Sequence, residues 1–271
     1  MTDLVVREYG IGTEWLIALH GGPAAAGDVA PLARELGKRW HVLEPFQRGS
    51  GARRLTVAAH VQDLDDLIRE RCGTHHPALV GHSWGAMLAL AYAAEHPTKP
   101  AALVLVGCGT FSPAARAEFE ARLEARLTPA DRAEIAHIRQ TEADADRQLA
   151  ALGRLMTRVY GCDIEEIPNG AATVDAVAHD ETWADVLRLQ RDGSHPAAFA
   201  AISRPVLMLH GEADPHPGRS TWEDLRKHIP HLEYRELPKC GHSPWLERQA
   251  KRTFFETLEA WLAARLQSER R

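Results

Sequence analysis

The sequence feature that most constrains the fold is a regular alternation of short apolar segments with longer segments of helical periodicity. The apolar segments are rich in Val, Ile and Leu, and they are too short to form helices. Runs of this kind are typical of strands that are covered on both faces of a parallel sheet. They lie near residue 5 and at 15–22, 40–45, 78–83, 102–109, 205–214 and 232–237. Helical patterns lie at 28–39, 56–72, 83–96, 219–229 and 245–266. The alternation predicts an α/β fold with a mostly parallel sheet.

The alternation is interrupted between residues 110 and 203. This stretch contains two long helical patterns, "SPAARAEFEARLEARL" and "PADRAEIAHIRQTEADADRQLAALGRLMTRVY", followed by a segment rich in loops. We therefore predict a core domain of residues 1–109 and 204–271, with residues 110–203 inserted as a helical cap over the ends of the strands. Only about 14 residues precede the strand that leads to His20. We expect a sheet of seven or eight strands, with seven favoured by this short N-terminal segment.

Composition and charge exclude several classes of partner. The net charge is −5 and no basic stripe is present, so we expect no nucleic-acid partner. No apolar run reaches the roughly 18 residues of a membrane helix, and the start "MTDLVVREYG" lacks the apolar core of a signal peptide. The four cysteines lie far apart without CxxC spacing, which predicts reduced thiols and no metal site. We expect a cytoplasmic protein that acts on a small molecule, and a homodimer remains open.

A serine, an aspartate and a histidine follow three of the predicted strands. Ser83 lies in the turn Gly-His-Ser-Trp-Gly, Asp214 ends the stretch "GEAD", and His242 lies in "CGHSPWLE". Ligands of open parallel sheets bind at the carboxyl ends of the strands, so the three side chains should meet there. The order Ser, Asp, His and the G-x-S-x-G turn between strand and helix are those of a nucleophile elbow and its partners.

The chemistry of these residue types suggests one role for each. A serine hydroxyl is a weak nucleophile unless a base takes its proton, and a histidine held by a carboxylate is such a base. Among 15 histidines, His242 is distinguished by its position directly after the last strand. Glu212 is an alternative to Asp214 as the acid. The strand at 102–107 is followed by no acid before Glu118, which favours Asp214.

With "HGGP", "GHSWG", "GEAD" and "CGHSPWLE" in this order, the sequence resembles the α/β-hydrolase superfamily over nearly its whole length, and specifically serine hydrolases with a helical cap. The resemblance implies an oxyanion hole made by the backbone N–H groups of Trp84 and Gly22, with Gly22 favoured over Gly21. It implies no metal and no organic cofactor. Relatives that open epoxides or remove halide carry aspartate at the elbow, so Ser83 favours acyl transfer to water.

The motifs favour, but do not fix, a substrate class. We expect a carboxylesterase that acts on a small ester. "HGGP" and "GxSWG" are also similar to proline iminopeptidases, from which Ala24, His82 and the stretch "PFQRGSG" depart. An aminopeptidase would need carboxylates for the substrate ammonium, and Asp163, Glu165 and Glu166 are candidates in the cap. A carbon–carbon bond hydrolase would use the same three residues. Receptors and scaffolds of this superfamily normally lack one of the three, so an enzyme is expected.

Substrate contacts are expected from the cap and from the segment after His242. His210 and His216 flank Asp214, and we interpret both as packing or surface residues. We expect residues of the cap to set the substrate specificity. The candidate substrate-binding residues are Trp245, Trp183, Met156 and Phe111.

Overall fold

A seven-stranded sheet forms the centre of the protein in the computed structural model, which describes residues 4–166 and 173–266. The strand order is β1-β3-β2-β4-β5-β6-β7, and only β1 runs antiparallel to its neighbour. The strands are β1 (Val6–Tyr9), β2 (Trp15–Leu19), β3 (His41–Pro45), β4 (Ala78–His82), β5 (Leu103–Val106), β6 (Val206–Gly211) and β7 (Glu233–Leu237). The predicted α/β class and the mostly parallel sheet are confirmed, and the strand number is the lower of the two expected.

Ten α-helices accompany the sheet in the described ranges. None of these helices is long and apolar enough to span a membrane. Single turns of other helix types lie at Ile68–Cys72 (π), Ala198–Ala201 and Pro244–Leu246 (both 3₁₀). The α-helices are α1 (Ala30–Leu36), α2 (Val57–Leu67), α3 (Trp84–Glu95), α4 (Pro113–Arg126), α5 (Pro129–Thr141), α6 (Ala145–Tyr160), α7 (Ala176–Arg191), α8 (Ser194–Ala197), α9 (Gly218–Leu225) and α10 (Lys251–Leu266).

The two faces of the sheet belong to two separate hydrophobic clusters. In β5, Leu103 and Leu105 pack in one cluster with residues of α2 and α3, whereas Val104 and Val106 pack in the other with residues of α1 and α10. Side chains alternate between the faces of a strand, so a strand that is covered on both sides must be apolar at every position. This explains why the central strands read as continuous apolar runs in the sequence.

Helices α4 to α8 lie between β5 and β6, in the stretch where the alternation of the sequence is interrupted. Their starts are encoded locally. Ser112, Thr128, Asp144 and Asp175 each precede a helix, and each side chain accepts a hydrogen bond from the backbone N–H three residues later. Residues 167–172 of the predicted cap lie outside the described residues. The domain boundaries at 109/110 and 203/204 stay predictions.

Candidate active site

The turn between β4 and α3 places Ser83 at the carboxyl edge of the sheet. Ser83 has φ 53° and ψ −116°, a conformation that costs free energy for any residue other than glycine. The glycines on either side have no room for a side chain. A Cβ on Gly81 would lie 2.2 Å from the carbonyl oxygen of Gly85, and a Cβ on Gly85 would lie 2.2 Å from that of Leu19. The two glycines therefore let the helix start immediately after the strand, with Ser83 at the apex of the turn.

Asp214 and His242 form a direct contact between the loops that follow β6 and β7. The Nδ1 of His242 lies 2.7 Å from Oδ2 of Asp214, and the two residues are 8% and 2% exposed. The backbone N–H of His242 donates to the carbonyl of Tyr160 at 3.1 Å, which fixes the histidine loop against the end of α6. Since a carboxylate only accepts hydrogen bonds, Nδ1 of His242 carries the proton and Nε2 is left as the basic nitrogen.

Two further histidines surround the same carboxylate. His216 donates from its backbone N–H and from Nδ1 to Oδ1 of Asp214, at 2.9 and 3.0 Å, and its ring stacks on that of His242 at 4.5 Å. The Nε2 of His210 lies 3.2 Å from Oδ2 of Asp214. Neither contact was predicted from the sequence, although His210 lies four residues before Asp214 and His216 two residues after it. Together they orient both oxygens of Asp214.

Burial and neighbouring charges shift the pKa values of Asp214 and His242 in opposite directions. Burial alone would raise the pKa of Asp214, but His242, His216 and His210 hold the pKa of this carboxyl well below its usual range. Burial lowers the pKa of His242, and the opposing attraction of Asp214 does not fully compensate. At neutral pH the site therefore contains a charged carboxylate and a neutral imidazole.

In the turn after β2, the backbone N–H of Gly21 donates a hydrogen bond, whereas that of Gly22 does not. Gly21 donates its N–H to Oδ2 of Asp28 at 3.3 Å. Within residues 4–166 and 173–266, the N–H groups of Gly22 and Trp84 donate to no protein acceptor. Gly22 adopts φ 108°, which is accessible to glycine and strained for other residues. Gly22 and Trp84 thus have the unsatisfied donors that a developing negative charge requires.

A cavity of about 390 Å³ connects these groups, and both Ser83 and His242 line it. The wall contributed by the inserted helices comes mainly from α6, and His179 of α7 also lines the cavity. This wall is mostly apolar and is completed by residues of the histidine loop and of the segment before α7. The larger apolar side chains of the lining are Leu149, Leu152, Met156, Val174, Trp245 and Leu246. A cavity of this size and lining can accommodate a small to medium organic substrate.

A comparison with known protein families agrees with this arrangement of sheet, elbow and loops. The model of the α/β-hydrolase fold family matches residues 14–249 of the chain. The chain belongs to the α/β-hydrolase fold family. The match includes the turn after β2, the elbow, the acid loop and the histidine loop, so the predicted resemblance is confirmed.

Two curated proteins and a solved structure are similar to this hydrolase over most of its length. The pimeloyl-[acyl-carrier protein] methyl ester esterase of Aromatoleum aromaticum is 28% identical, covering 85% of this chain and 92% of its own. The enzyme of the same name from Nitrosomonas europaea is 22% identical, covering 91% and 95%. The solved structure of a thermophilic esterase from Thermogutta terrifontis superposes with a TM-score of 0.64 at 19% identity, covering 97% and 93%.

The four predicted substrate contacts of the hydrolase fall into two groups. Trp245 and Met156 line the cavity. Phe111 instead packs edge-on against Phe199 at 5.2 Å, and Trp183 lies beneath the guanidinium of Arg116. Neither Phe111 nor Trp183 lines the cavity, so the structure does not support the prediction that they contact the substrate. Large apolar side chains of a helical insertion serve its packing against the core more often than they line a cavity.

The carboxylates proposed for an aminopeptidase also lie away from the cavity. Asp163 accepts a hydrogen bond from Gln249, and Glu165 lies 3.4 Å from Nζ of Lys251. Glu166 is exposed and does not line the cavity. The structure therefore does not support the prediction that these three acids bind the ammonium group of an aminopeptidase substrate.

Glu247 is a buried carboxylate whose role the sequence analysis missed. It is 0% exposed, and Oε1 accepts from the N–H groups of Gly241 and Cys162 at 2.9 Å each. Oε2 accepts from the N–H of Asp163 at 2.6 Å. One side chain thus ties the loop that carries His242 to the segment after α6. The available signal was the final residue of "CGHSPWLE", to which no role was assigned.

One group of three side chains in the described residues has the spacing of a metal site. The ligand atoms of Asp214, His216 and His242 lie within 4.8 Å of one another. Nδ1 of His242 and Nδ1 of His216 both donate to Asp214, at 2.7 and 3.0 Å, so both nitrogens carry protons and neither can ligate a metal in this arrangement.

Proposed function

We propose that the protein is a serine hydrolase that cleaves a small carboxylic ester, with Ser83 as nucleophile, His242 as base and Asp214 as the acid that orients the base. The observation that carries this proposal is the 2.7 Å contact between Asp214 and His242 beside the cavity that Ser83 lines from its strained turn. The esterase activity named for the curated relatives supports the choice of an ester.

The proposed reaction begins with attack of Ser83 Oγ on the ester carbonyl while Nε2 of His242 accepts the hydroxyl proton. The negative charge on the carbonyl oxygen is stabilised by the free N–H groups of Gly22 and Trp84. When the carbon–oxygen bond breaks, His242 returns the proton to the departing alcohol, and an acyl-enzyme remains. Water then attacks the acyl carbon while His242 takes its proton, and His242 passes this proton to Ser83 Oγ as the bond to the acyl group breaks and the acid is released.

The cavity supports a substrate with a small alcohol group and an apolar acyl chain. Leu149, Leu152 and Met156 present an apolar wall, and the volume is about 390 Å³. Both curated relatives are named as esterases of a methyl ester. We therefore propose methyl and other short alkyl esters as substrates.

The comparison of an ester with an anilide is the direct test of this function. Initial rates would be measured on p-nitrophenyl acetate, butanoate and octanoate and on proline p-nitroanilide, with labelling by a fluorophosphonate in parallel. We expect ester turnover with butanoate or octanoate preferred, negligible anilide turnover, and covalent labelling that mass spectrometry locates at Ser83. Faster turnover of the anilide would identify an aminopeptidase, and absence of both turnover and labelling would rule out a serine hydrolase.

The pH dependence should report the buried environment of His242. The base must be neutral to accept a proton, so kcat/KM falls as the pH decreases through the pKa of His242. Burial lowers this pKa from its ordinary value of 6.5, so we expect the acid limb for p-nitrophenyl butanoate to be centred below pH 6.5. Circular dichroism at each pH separates loss of activity from unfolding. An acid limb centred above pH 7 would contradict the assignment of His242 as a desolvated base.

A further inference from the structure

An arginine of the inserted helices donates hydrogen bonds to three backbone carbonyls beside the active site. Arg126 is the last residue of α4 and is half-buried. Its Nε donates to the carbonyl of Val159 at 2.8 Å, and its Nη2 donates to that of Gly161. Its Nη1 donates to the carbonyl of Ala213 at 2.6 Å. The rigid fork of one guanidinium thus joins the C-terminal end of α6 to the loop after β6.

The end of α6 is also the point where the histidine loop is attached. The N–H of His242 donates to the carbonyl of Tyr160, which lies between the two carbonyls of this helix end that Arg126 holds. The last carbonyls of a helix have no partner within the helix, and a cation beside them is stabilised. Arg126 therefore fixes the peptide groups on both sides of the one that holds the histidine loop.

On the side of the acid, Arg126 contacts the residue directly before Asp214. The carbonyl of Ala213 belongs to the planar peptide group that continues to Asp214, so this hydrogen bond acts on the backbone of the acid itself. A second side chain of α4 contacts the same loop. The ring of Phe119, about two turns before Arg126 and so on the same face of α4, stacks at 4.3 Å on that of His216, which donates to Asp214.

The relative position of the two loops sets the distance between the base and its acid. Asp214 and His242 follow different strands, β6 and β7, so their 2.7 Å contact depends on the placement of both loops. Ala213, whose carbonyl Arg126 holds, donates its own N–H to the carbonyl of Cys240 at 2.8 Å and so lies where the loops meet. A misplacement of about 1 Å at a catalytic group can cost about 100-fold in rate. A side chain that holds the supports of both loops limits such a displacement.

We propose that Arg126 is a positioning residue for the catalytic pair, which holds His242 and Asp214 at hydrogen-bond distance by joining the end of α6 to the loop after β6. This inference rests on the proposed ester hydrolysis and adds a residue of the inserted helices to it. Arg126 does not line the cavity. The cavity residues Leu149 and Leu152 lie about two to three turns before the end of α6, so a change at Arg126 should affect kcat more than KM.

The kinetic test measures kcat and KM for p-nitrophenyl butanoate in Arg126→Met and Arg126→Lys. We expect Arg126→Met to lower kcat by about 10- to 100-fold with KM changed less than about threefold. Lysine keeps the charge but has a single nitrogen, so Arg126→Lys should recover only part of kcat. Arg132→Met is the matched control, because Arg132 donates to the carbonyls of Glu124 and Leu127 within the inserted helices. It should change kcat less than about twofold, as an exposed arginine away from both loops.

A proton NMR spectrum supplies a readout that does not depend on turnover. The Nδ1 proton of His242, held in a short hydrogen bond to a carboxylate, gives a resonance far downfield of the amide protons, and its loss in Asp214→Asn identifies it. We expect this resonance to shift or broaden in Arg126→Met and to stay unchanged in Arg132→Met.

Two results would overturn the positioning role of Arg126. One is an unchanged resonance in Arg126→Met, and the other is a loss of kcat that titration of active sites with a fluorophosphonate accounts for completely, since Arg126 would then only stabilise the fold. If thermal unfolding shows that Arg126→Met does not fold, the same criteria apply to Arg126→Lys. If the wild-type protein hydrolysed no ester, the proposed function would fail, and the resonance would still decide whether Arg126 positions the pair.

Discussion

Replacing Ser83 with alanine is expected to lower kcat for ester hydrolysis by about 10⁶-fold, the size of loss seen when a serine nucleophile is removed from a triad. The hydroxyl oxygen forms the acyl-enzyme, and none of the side chains described around the cavity can take its place at the turn. The measurement is kcat with p-nitrophenyl butanoate, together with fluorophosphonate labelling, which Ser83→Ala should lose completely. The substitution keeps Cβ, so the strained backbone and the packing of Gly81 and Gly85 are retained.

Ser243→Ala is the matched control for this experiment. Ser243 lines the same cavity, and its Oγ lies 3.5 Å from Nε2 of His82. Loss of so long a contact should lower kcat by less than about tenfold. The assignment of Ser83 would be wrong if Ser83→Ala retained labelling and turnover, or if Ser243→Ala lost activity to the same extent. Thermal unfolding of both variants shows whether either change acts through stability.

The core of the fold could be predicted because a strand that is buried on both faces of the sheet is a continuous apolar run in the sequence. In β4 and β5 every residue is buried, so β5 is apolar at every position and β4 is apolar up to Gly81 and His82, where the elbow begins. The elbow is equally local, because Gly81 and Gly85 are required by contacts with atoms a few residues away or on the adjacent strand. The N-terminal strand β1 leaves a weaker pattern, since none of its four residues is fully buried.

The lining of the cavity could not be predicted in the same way. An apolar side chain on an inserted helix packs in the core or faces the cavity according to how that helix sits on the sheet, and helical spacing alone does not contain this information. Met156 on α6 faces the cavity, whereas Trp183 on α7 packs with the core. Polar neighbours such as His216 and Asp28 lie in loops, where no periodicity relates sequence position to direction.

Changing Asp214 to asparagine is expected to lower kcat by about 10⁴-fold, as loss of the triad carboxylate does elsewhere. The amide can donate to Nδ1 of His242, and the ring then carries its proton on Nε2, where it cannot accept the proton of Ser83. The negative charge that would stabilise the imidazolium is lost at the same time. The expected effect is on kcat for p-nitrophenyl butanoate, with KM changed much less because Asp214 does not line the cavity.

Glu212→Gln is the control that separates the two acids of the loop after β6. Glu212 is exposed, and its Oε2 accepts from the backbone N–H of Lys239 at 3.3 Å, whereas Asp214 is buried against His242 at 2.7 Å. Since an exposed carboxylate exerts a screened effect, Glu212→Gln should change kcat by less than about threefold. If Glu212→Gln instead caused the large loss and Asp214→Asn did not, Glu212 would be the carboxylate that contacts His242. The loop would then adopt a different conformation during turnover, and the hydrogen bond between Asp214 and His242 would not be the catalytic one.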